Sequence, residues 1–165
     1  GCSKTYSMTG WRIGWAAGPK EIIGAALKFQ SHATSDPAAF SQAGAAEAYG
    51  SLQASAEAVA TMRVEFDRRR KLMHARLNRL EGVSCLEPLG AFYCFPNVSG
   101  VFGRTFDGVR VTTPMQFCGV ALEKVGVAVV PGEAFGSNQH IRFSYAASTD
   151  QINKGLDRLE KLLNG

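Results

Sequence analysis

One lysine and one arginine stand eight positions apart in a run of small residues, Gly1-Cys2-Ser3-Lys4-Thr5-Tyr6-Ser7-Met8-Thr9-Gly10-Trp11-Arg12-Ile13-Gly14. Small residues let a backbone approach a ligand closely. Backbone amides and the fixed fork of a guanidinium suit a phosphate group. A lysine beside such a phosphate site can form a carbon–nitrogen double bond with an aldehyde. The spacing alone is equally that of a solvated lysine in a glycine-rich loop, so the wording of the whole stretch has to decide.

That wording resembles the cofactor-lysine signature of the class I aminotransferases, which belong to fold type I of the pyridoxal-phosphate enzymes. Small residues precede Lys4, Ser7-Met8 follow it, and Gly10-Trp11-Arg12-Ile13-Gly14 closes the motif. The version here is especially similar to the bacterial-type aspartate aminotransferase branch. Three later stretches resemble the same family in the same order. Gly90-Ala91-Phe92-Tyr93 looks like its small-domain strand, Val130-Pro131-Gly132-Glu133-Ala134-Phe135-Gly136 like a loop leading to the substrate, and His140-Ile141-Arg142-Phe143-Ser144-Tyr145-Ala146 like the strand whose arginine grips the substrate.

The resemblance implies roles. Lys4 would hold pyridoxal 5'-phosphate covalently and later move a proton between the substrate α-carbon and the cofactor. Arg12 would anchor the cofactor phosphate, with Ser3 and Gly1 as weaker cofactor-binding candidates. Some branches place a serine three positions before the lysine. Gly1 stands there in this sequence, so only its backbone amide can serve. Arg142 would bind the substrate α-carboxylate through two parallel charged hydrogen bonds. Trp11, Tyr93 and Phe135 read as packing residues, and Glu133 as a solvated carboxylate. The implied reaction is ping-pong transfer of an amino group between an amino acid, L-aspartate by the wording of the motif, and a 2-oxo acid. The family is usually homodimeric, and the groups that meet the cofactor ring precede the lysine. The sequence also opens inside the motif without an initiator methionine, so it is expected to be a C-terminal fragment, inactive on its own.

Two other readings are compatible with the motif. One is a different fold-type-I enzyme, such as an aromatic, alanine or kynurenine aminotransferase or a carbon–sulfur lyase. The other is the aminotransferase-like sensor domain of a transcription regulator, which binds the cofactor without turnover.

The elements that must position these residues follow from periodicity and punctuation. Gly1 to Gly10 reads as a loop and Arg12 to Ala17 as a short strand closed by Gly18-Pro19. Helices are expected over about 20–31, from Ser35-Asp36-Pro37 to near Gly50, and over about 53–80, where Val59, Met62, Phe66, Met73, Leu77 and Leu80 recur at helical spacing. Beyond Gly82 strands are expected at 83–86, 91–95, 127–130 and 141–145, with a loop over 97–107. A helix should start at Thr112-Thr113-Pro114 and end near Gly126. Ser148-Thr149-Asp150-Gln151 reads as a capping box opening a last helix with Ile152, Leu156, Leu159 and Leu163 on one face. The fold class is α/β: residues 1–52 as the end of a large cofactor-binding domain, 53–81 as a linking helix, and 82–165 as a small α+β domain.

Composition narrows the remaining classes. The 165 residues are 45% hydrophobic and 19% charged, with a net charge of +4. That balance is too weak and scattered for a nucleic-acid partner, and the run Arg68-Arg69-Arg70-Lys71 reads as a solvated helix face. Cys2, Cys85, Cys94 and Cys118 have no metal-binding spacing, and His32, His74 and His140 are scattered, so no metal is expected. No stretch approaches the ~20 apolar residues of a membrane span. Reduced thiols fit a cytoplasmic protein.

Overall fold

A computed structural model describes all 165 residues, which fall into two compact units, Gly1–Arg63 and Val64–Gly165. No helix is long and apolar enough to cross a membrane.

The first unit is helical. It holds α1 (Cys2–Thr5), a 3-10 turn at Thr9–Trp11, α2 (Lys20–Ala33), α3 (Ala39–Gly50) and the first part of α4 (Leu52–Leu77). Gly1 to Gly10, expected to be a loop, therefore contains a helical turn and a 3-10 turn. Arg12 to Ala17, expected to be a strand, forms none. Arg12 is left-handed, with φ 50 and ψ 48, and the residues after it have no ladder partner in the chain. A strand needs a neighbour for its N–H and C=O groups, and apolar composition cannot supply one. The start of α3 also moves. Ser35 takes φ 59, and the helix begins after Ala38 without a side-chain cap.

The second unit has a layered core. An antiparallel sheet of order β1-β5-β4 is built from β1 (Tyr93–Cys94), β4 (Val130–Pro131) and β5 (Ile141–Ser144). Helices α5 (Pro114–Val125) and α6 (Thr149–Asn164) and the end of α4 supply the rest of its core. On α6 the residues Ile152, Leu156, Leu159 and Leu163 are all buried, as their three- and four-residue spacing requires. Ser148 Oγ accepts the Gln151 N–H at 3.3 Å, which makes the serine half of the capping box. Thr113 Oγ1 likewise accepts the Gln116 N–H, and Gly126 closes α5 at φ 65. In the core, Tyr145 is 1% exposed and donates its hydroxyl to the Ala91 carbonyl at 3.0 Å.

Several expectations in this unit change: the strands expected at 91–95 and 127–130 shrink to Tyr93–Cys94 and Val130–Pro131. The strand expected at 83–86 reduces to a single bridge, Ser84 to Asn97. The stretch expected to be loop contains a 3-10 turn at Ser99–Val101 and a hairpin of β2 (Thr105–Phe106) and β3 (Val109–Arg110). Its turn is Asp107-Gly108, both with positive φ, which is the geometry a two-residue hairpin loop prefers.

All four cysteines are free and buried. A hydrogen bond that Cys94 donates to Cys85, with burial, pushes the Cys94 thiol up, and burial pushes Cys118 to about 11. Thiols held protonated in this way are poor nucleophiles, so these two are structural.

The basic run on α4 is paired rather than simply solvated. Glu65 bonds Arg68 at 2.8 Å and Arg69 at 2.6 Å, and Arg70 bridges Asp67 and Glu87. The hydrogen bonds from Arg68 and Arg69 lower the Glu65 carboxyl from 4.5 to about 2. A carboxyl depressed in the folded state contributes stability above its unfolded value, and loses that contribution as pH falls toward the folded one. Urea midpoints of the native protein and Glu65→Gln should therefore differ above pH 4.5 and converge as pH drops to about 2. The difference should be small, because the pair lies at the surface. A gap independent of pH would refute the linkage.

Candidate active site

In the first unit the site residues lie on one self-bonded loop. Gly1 is the N-cap of α1, which carries Ser3 and Lys4. Thr9 Oγ1 donates to the Ser3 carbonyl at 3.0 Å, and the Thr9 carbonyl in turn accepts from an Arg12 guanidinium nitrogen at 3.2 Å. The neighbour of Lys4 is thereby tied to Arg12 through one threonine. The left-handed turn at Arg12 costs local strain for a side-chain-bearing residue. It is held from below, because the buried Ser41 hydroxyl donates to the Trp11 carbonyl at 2.7 Å.

Trp11 is the loop's anchor. Its ring lies on α3 where Gly44 has no side chain, and a Cβ there would sit 2.5 Å from the ring. Phe40 packs against the same ring at 6.1 Å between centroids. Beneath the loop, Cys2 is fully buried and Met8 nearly so. Lys4 and Arg12 are both exposed. Arg12 makes no ion pair, and no atom lies within 4 Å of the Cβ position at Gly1, Gly10 or Gly14. An unneutralised guanidinium beside open, glycine-bounded backbone fits an anionic group such as a cofactor phosphate.

In the second unit Arg142 lies mid-strand on β5, opposite Val130 of β4, and is half-buried. It makes no hydrogen bond and no ion pair within the chain. Its guanidinium carbon lies over two rings instead, 4.4 Å from the centre of Tyr93 and 4.3 Å from that of Phe135. A half-buried cation without a counter-ion is poised for an anion from outside. Sequence reasoning treated Tyr93 and Phe135 as packing only. They are 42 positions apart (135 − 93), and only the sheet register brings both to Arg142. Glu133 is exposed, as a solvated group is, and its Oε1 also accepts the Met115 N–H at the start of α5 at 3.2 Å.

Comparison with known proteins identifies the family. The profile of the family "Aminotransferase class I and II" matches residues 1–159. An aspartate aminotransferase of Streptomyces avermitilis is 45% identical over 99% of this chain and 40% of its own length. An aspartate/prephenate aminotransferase of Cereibacter sphaeroides is 43% identical over 100% of this chain and 41% of its own. The crystal structure of the aspartate aminotransferase from Rhizobium meliloti superposes with a TM-score of 0.89 at 42% identity, covering 99% of this chain and 40% of that one. The chain thus spans about 40% of the length of the relatives it matches. With a match running through nearly all of its residues, the chain belongs to the class I and II aminotransferases.

Proposed function

We propose that this chain is part of a pyridoxal-phosphate aminotransferase that moves an amino group between L-aspartate and a 2-oxo acid. It would supply the cofactor lysine, a phosphate anchor and the carboxylate grip. The observation that carries the proposal is the loop in which Ser3, Thr9 and Arg12 are bonded in series, so that Lys4 and an uncompensated guanidinium belong to one folded segment. The relatives' names support the substrate assignment.

When bound, pyridoxal phosphate supplies an aldehyde that accepts the amino group and a ring that takes up the electron pair of the substrate α-carbon. Lys4 would hold the cofactor, and its free amine would carry the proton from the substrate α-carbon. Arg12 holds the phosphate with the help of backbone amides near Ser3 and Gly1. Arg142 would take the α-carboxylate in a bidentate pair, which orients the substrate.

Residues 1–52 would then be the end of a large cofactor-binding domain, 53–81 the linking helix and 82–165 the small domain. The observed boundary between units falls within α4, which supports giving that helix the linking role. Homodimer formation and a cytoplasmic setting follow the family reading, and four unpaired thiols support the latter. The 165 residues alone should show no turnover, because the relatives' remaining length carries groups the reaction needs.

The Cereibacter relative favours a second reading in which prephenate is also an amino acceptor. A panel on the full-length enzyme tests both. Aspartate with 2-oxoglutarate should give the highest kcat/KM, with prephenate as an active acceptor in the second reading. Preference for a donor that lacks a second carboxylate would overturn the aspartate assignment.

A further inference from the structure

We propose that Tyr93 and Phe135 are positioning residues that make Arg142 selective for planar carboxylates over tetrahedral oxyanions. This rests on the reading that Arg142 receives the substrate carboxylate. On β5, Arg142 and Ser144 point to one face of the sheet, and Tyr93 of β1 stands opposite Ser144. Tyr93 is therefore the diagonal neighbour of Arg142, within reach of an aromatic side chain.

Phe135 reaches the same cation from the 3-10 turn Gly132–Phe135 that follows β4. That turn is tightly specified. Gly132 donates its N–H to the His140 carbonyl at 2.8 Å, and its own carbonyl accepts the Ser137 N–H at 2.9 Å. A Cβ at Gly132 would collide with the carbonyl oxygens of both His140 and Ser137. The Phe135 ring is braced edge-on against Phe95, with centroids 6.0 Å apart at 88°. Phe95 stacks on His140 at 5.0 Å and 13°, and His140 Nδ1 is hydrogen-bonded to the Ser137 hydroxyl at 2.7 Å. The second ring is thus held in place before any ligand arrives.

With centroids 4.4 Å and 4.3 Å from the guanidinium carbon, the two rings would cover its faces. No carboxylate competes for the cation, since Glu133 is engaged at the α5 N-terminus. With its faces covered, the cation would meet a ligand through its N–H edge, whose donors lie in the guanidinium plane. A carboxylate meets that edge with both oxygens in the same plane. A tetrahedral oxyanion necessarily places an oxygen out of that plane, toward the rings. Shape, rather than charge, would then decide which anion binds.

Acetate and methanesulfonate carry the same charge and differ in this geometry. In the full-length enzyme loaded with its cofactor, both should compete with the amino donor, and acetate should have an inhibition constant lower by about tenfold, or ~1.4 kcal/mol. Phe135→Leu should bring the ratio toward one and raise the donor KM by more than it lowers kcat. Phe135 is 46% exposed, so this change does not hollow the core. Tyr93→Leu should act in the same way, while Tyr93→Phe and Phe135→Tyr should keep the discrimination. Arg142→Leu should abolish inhibition by both anions. If it does not, the carboxylate reading of Arg142 itself is wrong. If it does, but the leucine variants keep the native ratio, the grip stands and the role of the rings is refuted.

Discussion

Lys4→Ala in the full-length enzyme should lower turnover by ~10²–10⁴-fold or more, because under the proposed function proton transfer and cofactor anchoring would be lost together. Lys4 is exposed on a four-residue helix, so in the cofactor-free protein its removal should leave the melting temperature near the native value. Activity and folding are therefore separable at this position. Lys4→Arg sharpens the test, since it keeps the positive charge but cannot form the covalent link, and it should be as inactive as the alanine variant. A direct readout is borohydride treatment, which reduces a carbon–nitrogen double bond to a stable amine. The cofactor mass should appear on the peptide that contains Lys4 in the native enzyme and on no peptide of the variants. Label on another lysine, or turnover within tenfold of native in Lys4→Ala, would remove Lys4 from the mechanism.

What could be read from the sequence was mostly what is local. The buried stripe of α6, the Thr113 cap and Gly126 stop of α5, and the Ser148 cap all follow from neighbours within one or two turns. The hairpin at Thr105–Arg110 had a local signal, Asp107-Gly108, but two-residue strands are too short to show alternation, and the surrounding glycines resemble loop. The stretch from Arg12 to Ala17 failed in the opposite sense. Its composition suits a strand, but pairing is a property of the partner, and none is present in the chain. The site divides along the same line. Lys4, Arg12 and Arg142 could be named because motif wording marks them. The function of Trp11 as an anchor depends on the glycine at position 44, more than thirty residues away. The rings around Arg142 depend on strand register and on a turn pinned by backbone hydrogen bonds. Neither could be seen without the fold.

The second large effect is expected at Arg142. Removing one partner of a hydrogen-bonded charge pair costs about 2–5 kcal/mol, so Arg142→Leu should lower kcat/KM by roughly 30–5,000-fold. Because the amino donor and the 2-oxo acid each present a carboxylate beside the reacting carbon, both half-reactions should fall by similar factors. A residue that merely supported the sheet would have no reason to affect them equally. Arg142→Lys retains a cation but loses the planar fork, so it should recover only part of the activity. A primary amine that lacks a carboxylate offers the converse test. It gains nothing from Arg142 in the native enzyme, and its slow reaction should be unchanged in Arg142→Leu. The arginine has no internal counter-ion to lose, and its removal also relieves a half-buried uncompensated charge. Loss of its contacts with the Tyr93 and Phe135 rings works the other way, so the stability of Arg142→Leu should stay near the native value. Loss of activity with near-native stability is the signature of a cation kept for a ligand, and an unchanged kcat/KM for aspartate would assign it to structure instead.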